Sequence, residues 1–554
     1  MQLFFLFGGK MKYIKDTLQH TDQVMQTYHV NSLLAKVIES KNMGLSEYEK
    51  FVSPHLIYHD FSLFSEADLA LERIQHAIEQ HEKIAIYGDY DCDGILSTAI
   101  LVQAFKELGI EVGFHIPNRF TDGYGLNVKR VKQMAEKGYS LIITVDNGIK
   151  ANEAVAEASR LGVDVIITDH HAFSESDELP DAQAIIHTKM SVDYPFKEIC
   201  GGFIAYKLAS ALLHHHDKYL YSLAAITTVS DMMPLVDENR SVVKRGLQFM
   251  NEEHYEALEL LKGQGDYSTT MIGFTIAPKI NSFGRLPEQI NPNNLVKYFL
   301  KEADPRLRKA VGMKAVEING LRQVMTTKAY QEALKEAHDK CMFYASSDIH
   351  EGIVGLVAGK YAREFERPAF VMHYDEKKHL YKGSARGVNG FNLYDFLTQN
   401  ASLLEAFGGH AMAGGFSVSE EHFNDLRLAL LEYIGDKTFR NEELVIPVDK
   451  EELSVPAVAS LSLLEPFGQL NEAPVFLLED VHIDEYRLLS EGKHLRMNMH
   501  TSNGEVAALY FNQGKQKESL ESQDSLNLVG SLSINEFRGH QTVNLIVKDV
   551  VKDL

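Results

Sequence analysis

Three short apolar runs in this chain each end in acid or imidazole. Lys83–Tyr87 (KIAIY) runs into Asp89, Asp91, Asp93 and Gly94, Leu141–Val145 (LIITV) into Asp146-Asn147-Gly148, and Val163–Thr168 (VDVIIT) into Asp169-His170-His171. A fourth segment, Thr228–Leu235 (TVSDMMPL), delivers Asp231 after an apolar stretch. Carboxylates gathered this densely repel one another unless something neutralises them, because buried charge needs a partner. Divalent cations are the simplest answer, and oxygen and imidazole donors without thiolate favour Mn²⁺ or Mg²⁺ over structural zinc. Two such ions about 3.5–4 Å apart, bridged by one carboxylate, would activate a water and clamp a phosphoryl oxygen. The expected chemistry is hydrolysis of a phosphate ester.

Blander readings of the same residues fare worse. DxDxDG also opens a calcium-binding loop, but position 12 counted from Asp89 is Ile100 rather than glutamate, and the segment is entered from a strand. A lone Asp-His-His is ordinarily a turn; its place beside two other acidic strand ends reverses that expectation. Cys92 reads as a small residue between ligands, His214-His215-His216 as a solvated helix end, and Asp164 as structural.

What must position these groups is a parallel sheet. Continuous β-branched runs alternate with helical stretches at Leu96–Leu108, Val128–Glu136 and Ala151–Leu161, with a further strand at Glu111–Ile116. Runs of this kind, buried on both faces, belong to α/β domains, whose ligands sit at the carboxyl ends of the strands. Asp304-Pro305 then reads as an N-cap and first turn, opening a helix of some 35 residues, about 50 Å long, that would bridge two domains. A second α/β domain follows over roughly 341–437, and beyond Val445 short strands with turns at Gly492, Asn503-Gly504 and Arg538-Gly539 suggest a small β-barrel.

Composition sets the limits. The chain has 554 residues, enough for three or four domains, and 55 Lys+Arg against 77 Asp+Glu give a net charge of −22. That excludes a broadly basic nucleic-acid coat, so any polyanion must use a local basic groove. Three scattered cysteines argue against a disulfide framework or thiolate zinc site and favour a reducing cytoplasm. No apolar run approaches the roughly 20 residues of a membrane helix. The opening MQLFFLFGGK is apolar but lacks a leading positive charge and a cleavage site. It reads either as a weak signal peptide or, preferably, as an upstream start, with the natural start at Met11, where polar, helix-compatible sequence begins.

Taken together the residues resemble the DHH phosphoesterase superfamily and, within it, the RecJ family of bacterial exonucleases specific for single-stranded DNA. YGDYDCDG (Tyr87–Gly94), VDNGI with Asp146, TDHH (Thr168–His171) and SDMMPL with Asp231 carry the resemblance in the first α/β domain. HEGIVGLVAGK from His350, GSARG with Ser384 and Arg386, and GGHAMAGG (Gly408–Gly415) carry it in the second. Between them PNRFTDGYGL, with Arg119, Tyr124 and Gly125, and APKINSFGR, with Asn281, Gly284 and Arg285, are similar to segments of that family. The match runs in order over about residues 60–440, and the barrel fits an OB-fold.

The resemblance implies an N-terminal helical segment (1–64), a DHH catalytic domain (65–250), and a linker with the bridging helix (251–340). A DHH-associated substrate-binding domain (341–440) and an OB-fold nucleic-acid-binding domain (441–554) complete the chain. It implies that Asp91 and Asp93 each hold one cation, that Asp146 bridges both, and that His170 and Asp231 complete the first site. His171 would lie near the scissile phosphate and Asp89 would support the ligands or position water. Arg119, Tyr124, Asn281, Arg285, Ser384, Arg386 and His410 would contact substrate, helped by the N–H groups of Gly408 and Gly409. The implied activity is 5′-to-3′ hydrolysis of single-stranded DNA to 5′-mononucleotides, in repair and recombination. The implied setting is a cytoplasmic monomer that works beside a single-strand-binding protein and a RecQ-type helicase. Tyr510, Phe511 and Phe537 are candidates for base stacking, since the chain has no Trp, and each fits the barrel core equally well.

Departures from the family pattern are Cys92 where alanine or valine is usual, Lys279 in place of arginine, and Gly414 in place of alanine. The chain is short for the family, so an additional C-terminal domain of some relatives is expected to be missing. Two competitors share parts of the pattern. A DHH enzyme of small substrates would leave long single strands intact and cleave dinucleotides. A DNA-binding relative without metals would have lost ligand residues, whereas here all are present.

Overall fold

A computed structural model describes residues 11–552 except Glu175, Asp339 and Arg440. Residues 1–10, on which the reading of Met11 as the start depends, lie outside the described residues. Five parallel strands form the first sheet, in the order Gly113–His115, Lys83–Tyr87, Tyr139–Val145, Asp164–Thr168, Ala184–Ile186. Alternate residues of each run feed two cores, as a sheet covered on both faces requires. Ile84, Ile86, Leu141 and Ile143 point into one, Ala85, Tyr87 and Ile142 into the other.

Helix Pro305–Lys335 begins where expected, with Asp304 Oδ1 accepting from the N–H groups of Arg306 (2.8 Å) and Leu307 (3.0 Å). Its 31 residues serve two cores: Val311, Ala315 and Ile318 pack into the first, Tyr330 and Ala333 into that of the second unit. The stretch from 251 read as linker is different. Leu258, Leu261, Ile272, Ile276, Ile280, Phe283, Leu295 and Phe299 pack into the first core, so the bridging falls to Pro305–Lys335. The second unit carries a mixed sheet in the order Ala406–Gly409, Ala413–Ser419, Leu380–Arg386, Ala369–Asp375, Met342–Ser346.

The C-terminal unit is an eight-stranded sheet, and one of its strands comes from the other end of the chain. Lys12–Lys15, in the segment expected to be helical, pairs parallel with Glu442–Pro447. The helix Ser32–Ser40 that follows buries Leu33, Leu34, Val37 and Ile38 in the barrel core. A pairing across some 430 residues has no local periodicity to announce it. Among the described residues no helix is long and apolar enough to cross a membrane.

Candidate metal centre and nucleic-acid cleft

The strand order places the chemistry. Lys83–Tyr87 is flanked on one side by Gly113–His115 and on the other by Tyr139–Val145, so the winding reverses between them and their carboxyl ends open a crevice. Asp89 and Asp91 lie in the loop leaving the first of these strands. Asp91 is the N-cap of helix Cys92–Glu107, its Oδ1 accepting from Gly94 N–H at 3.0 Å, and Asp93 sits in the first turn. Gly94 is required by proximity, since a Cβ there would lie 2.5 Å from Asp89 N. Asp146 leaves the neighbouring strand in the left-handed conformation (φ 61°), which Asp and Asn tolerate better than other side chains.

Acids from three segments meet at one imidazole from a fourth. His170 Nε2 lies 3.1 Å from Asp146 Oδ1, 3.5 Å from Asp231 Oδ2 and 3.7 Å from Asp93 Oδ2. Three groups have ligand atoms all within 4.8 Å of one another: Asp93, His170 and Asp231; Asp146, His170 and His171; and Asp89, Asp91 and Asp146. Asp146 belongs to two of them, the placement a bridging carboxylate needs.

The donors fit divalent cations. Asp89 Oδ1, Asp146 Oδ1 and His170 Nε2 are buried and make no hydrogen bond, against the rule that buried polar atoms are satisfied. Burial, reinforced by His171, pushes His170 down to about 3, so its imidazole is neutral and offers a lone pair. Burial and then neighbouring acids hold Asp89, Asp146 and Asp231 well above the carboxylate range, and burial with Asp91 lifts Asp93 to about 6. A cluster that must hold protons when empty gains most from cations.

Two supports escaped the sequence reading as functional residues. Asp169 is fully buried and accepts four hydrogen bonds, from His171 Nδ1 (2.7 Å), His170 N–H (2.7 Å), His171 N–H (3.1 Å) and Ile149 N–H (2.9 Å). Burial opposes ionisation of both partners, yet this hydrogen bond and charge hold Asp169 below the carboxylate range and raise His171 to about 9. The second support is the start of helix Gly201–Leu213, whose Gly201 and Gly202 N–H groups donate to Asp93 Oδ2 (2.8 Å) and Oδ1 (2.7 Å). A Cβ on Gly201 would lie 2.6 Å from that of Asp146. The Gly-Gly pair after a loop was the available signal.

Asp169→Asn turns one acceptor oxygen into a donor that must face an N–H. The variant is expected to lose 10–100-fold in activity or Mn²⁺ affinity, as for other groups that orient ligands. Steady-state kinetics and metal titration check this, and values within twofold of the parent would remove Asp169 from the site.

Facing this crevice, Arg119, Ser384 and Arg386 line a cleft of about 540 Å³. Arg386 Nη1 donates to Ser384 Oγ at 2.8 Å, and Arg119 stacks its charge 5.3 Å over Tyr90. Arg285 is half-buried, donates to Gly352 O (3.3 Å), and is pushed down to about 10 by desolvation and by Arg119, Arg322 and Arg386. Arg322, which the sequence reading passed over, lies on Pro305–Lys335 where the helix crosses between the two cores, held by Asn319 Oδ1 at 2.9 Å. Among the described residues none of these four arginines forms a salt bridge, although the chain carries a net charge of −22. Two of them, Arg119 and Arg386, line the cleft, and with Arg322 they lie near enough to act on Arg285; guanidinium groups without a carboxylate suit phosphate.

A second pocket of about 370 Å³ brings Tyr124, Asp169, His171, Gly408, Gly409 and His410 together, with Tyr124 Oη 3.0 Å from His171 Nε2. Asn281 instead accepts from Cys92 N–H at 2.8 Å and so braces the aspartate loop. Of the barrel aromatics Tyr510 is core at 6% exposure, while Phe511 and Phe537 are 48% and 66% exposed.

Three family domains match along the chain: the DHH family N-terminal domain over residues 83–230, the DHHA1 domain over 338–436 and the RecJ OB domain over 446–549. The chain is 35% identical to the single-stranded-DNA-specific exonuclease RecJ of Bacillus subtilis (strain 168), over 98% of its own length and 71% of that protein. It is 28% identical to the Escherichia coli K12 enzyme of the same name, over 94% and 95% of the two chains. The crystal structure of RecJ from Thermus thermophilus in complex with Mn²⁺ superimposes with a TM-score of 0.82 at 27% identity, covering 98% of this chain and 80% of that one. The Mg²⁺ complex of the same protein gives 0.76 at 25% identity, covering 98% and 79%.

Proposed function

The chain belongs to the RecJ family of the DHH superfamily, and from that membership we propose that it is a metal-dependent exonuclease of single-stranded DNA, using Mn²⁺ or Mg²⁺. The observation that carries the reading is the meeting of Asp93, Asp146 and Asp231 at His170 Nε2, in a chain that also gathers four arginines forming no salt bridge among the described residues.

Asp93, His170 and Asp231 would hold one cation, Asp89 and Asp91 the second, and Asp146 both. Bound there, the pair supplies an activated water and charge neutralisation at the phosphoryl oxygens. The remaining work falls to the chain. Arg119, Arg285 and Arg386, with Ser384, bind and orient the phosphates of one strand. His171, kept protonated by Asp169, sets a positive charge beside the scissile phosphate, with Tyr124 fixing its ring. Asp93 is held for ligation by Gly201 and Gly202, and Asn281 keeps the aspartate loop in place. Cleavage from the 5′ end to 5′-mononucleotides is proposed from family membership. So is a role in repair and recombination beside a single-strand-binding protein and a RecQ-type helicase.

The test is digestion of end-labelled single- and double-stranded DNA, labelled at 5′ or 3′, with Mn²⁺ and with EDTA. Stepwise loss from the 5′ end of single strands, abolished by EDTA, is expected; intact long strands with rapid dinucleotide cleavage would overturn the reading.

Arg386→Ala is expected to raise KM for DNA about 10–100-fold, the worth of one or two charged hydrogen bonds, with kcat changed little. One fewer phosphate contact should also flatten the salt dependence, by about 0.7 in log–log slope. A kcat defect at unchanged KM would place Arg386 elsewhere in the reaction.

A further inference from the structure

The turn that follows Asp231 is held from outside the first unit. Asp231 ends helix Lys218–Ser230, its N–H donating to Thr227 O at 2.9 Å, and its side chain is 30% exposed where those of Asp93 and Asp146 are 1% and 2%. Of the three acids that meet at His170 it is thus the least closely packed. The next helix, Asp237–Glu253, begins six residues later. Between them Leu235 N–H donates to Gln469 O at 2.8 Å, and Gly468 approaches so closely that a Cβ there would lie 2.6 Å from Leu235 Cδ1.

Arg240, near the start of that helix, reaches the turn of the C-terminal unit, residues 463–471, that carries Gly468 and Gln469. It is buried, and its guanidinium donates to the carbonyls of Leu464 (3.1 Å), Leu463 (3.2 Å), Pro466 (3.5 Å) and Phe51 (3.4 Å). It also lies 3.7 Å over the Phe51 ring. With most of its five donors taken by backbone, Arg240 has little left for a phosphate. Its geometry is that of a strut between the helix after Asp231, the turn 463–471 and the N-terminal helix ending at Val52.

We propose that Arg240 and Gly468 are positioning residues for Asp231: seating the turn 463–471 on Leu235 and Arg240 fixes the segment that carries the ligand, so the set around His170 is complete only when the C-terminal unit is docked. The proposal rests on the reading of Asp231 as a cation ligand.

Two variants of the full chain test it, Arg240→Met, which removes the donors but keeps an apolar stem, and Gly468→Ala, which pushes on Leu235 from the C-terminal side. Mn²⁺ alone is titrated by calorimetry, and kcat and KM on single-stranded DNA are measured at low and high Mn²⁺, with thermal unfolding as the check on folding. Both variants are expected to bind Mn²⁺ 10–100-fold more weakly, as when a group that orients a ligand is lost. Their kcat should recover in excess Mn²⁺, with KM for DNA within about twofold of the parent. Unchanged Mn²⁺ affinity with a raised KM would overturn the proposal and leave the turn a DNA-binding element. Should Arg240→Met not fold, Gly468→Ala decides. Asp231→Asn is the reference: if it binds Mn²⁺ like the parent, the ligand assignment fails, and this proposal with it.

Discussion

Asp146→Asn is expected to lower cleavage of single-stranded DNA by at least 10²–10³-fold, the loss of roughly 3–4 kcal/mol of transition-state stabilisation, while the chain folds as before. The reason is position. Asp146 is the acid common to two of the candidate ligand groups, its Oδ1 is buried without a hydrogen bond, and His170 Nε2 lies 3.1 Å away. Asparagine keeps the shape and tolerates the left-handed backbone at φ 61°, so charge is what changes. Alanine would confound the result by adding strain at that φ. Rates at saturating DNA and Mn²⁺, set beside thermal unfolding, check the expectation. A variant that keeps robust activity with metal bound removes Asp146 from the bridging position.

Withdrawing the cations should have an effect at least as large, and one that depends on pH. EDTA is expected to abolish cleavage and Mn²⁺ to restore it. Without cations Asp93 is lifted to about 6 by burial and Asp91, and Asp89, Asp146 and Asp231 move the same way. The folded state therefore holds protons that the unfolded chain gives up. Their contribution to stability is full below the ordinary aspartate value, about 3.9, and is lost as pH rises through the raised values. Near neutral pH the empty cluster weakens the fold, and bound Mn²⁺ removes that cost. At a hundredfold excess over Kd it should add about 2.7 kcal/mol. Thermal unfolding with and without Mn²⁺ should show a gap that widens from about pH 5 to 7.5, with protons released on binding. A gap independent of pH would mean that Mn²⁺ binds elsewhere.

What the chain disclosed about itself follows a physical divide. The strands Lys83–Tyr87 and Tyr139–Val145 were legible because a doubly covered strand is a continuous apolar run, and the ligands because they stand at the ends of such runs. Helix Pro305–Lys335 was legible through its Asp-Pro start. Groups whose meaning lies in what they touch were not legible. Asp169 reads as part of a tripeptide until its four donors are seen, and Arg322 and Arg240 read as ordinary helix residues until their partners appear. Tyr510 became core because its strand, Gly504–Tyr510, faces it inward, a matter of register that alternation along one strand does not fix.

The parallel pairing of Lys12–Lys15 with Glu442–Pro447 bears on any attempt to dissect this chain. A fragment beginning near residue 441 would lack that neighbour, and the backbone of Glu442–Pro447 would stand open as an unprotected rim, an invitation to intermolecular pairing and precipitation. Leu33, Leu34, Val37 and Ile38 would leave a hole in its interior as well. Supplying residues 11–52 in trans, or splicing them ahead of the fragment, should rescue its solubility, because the two ends of this polypeptide form a single folding unit.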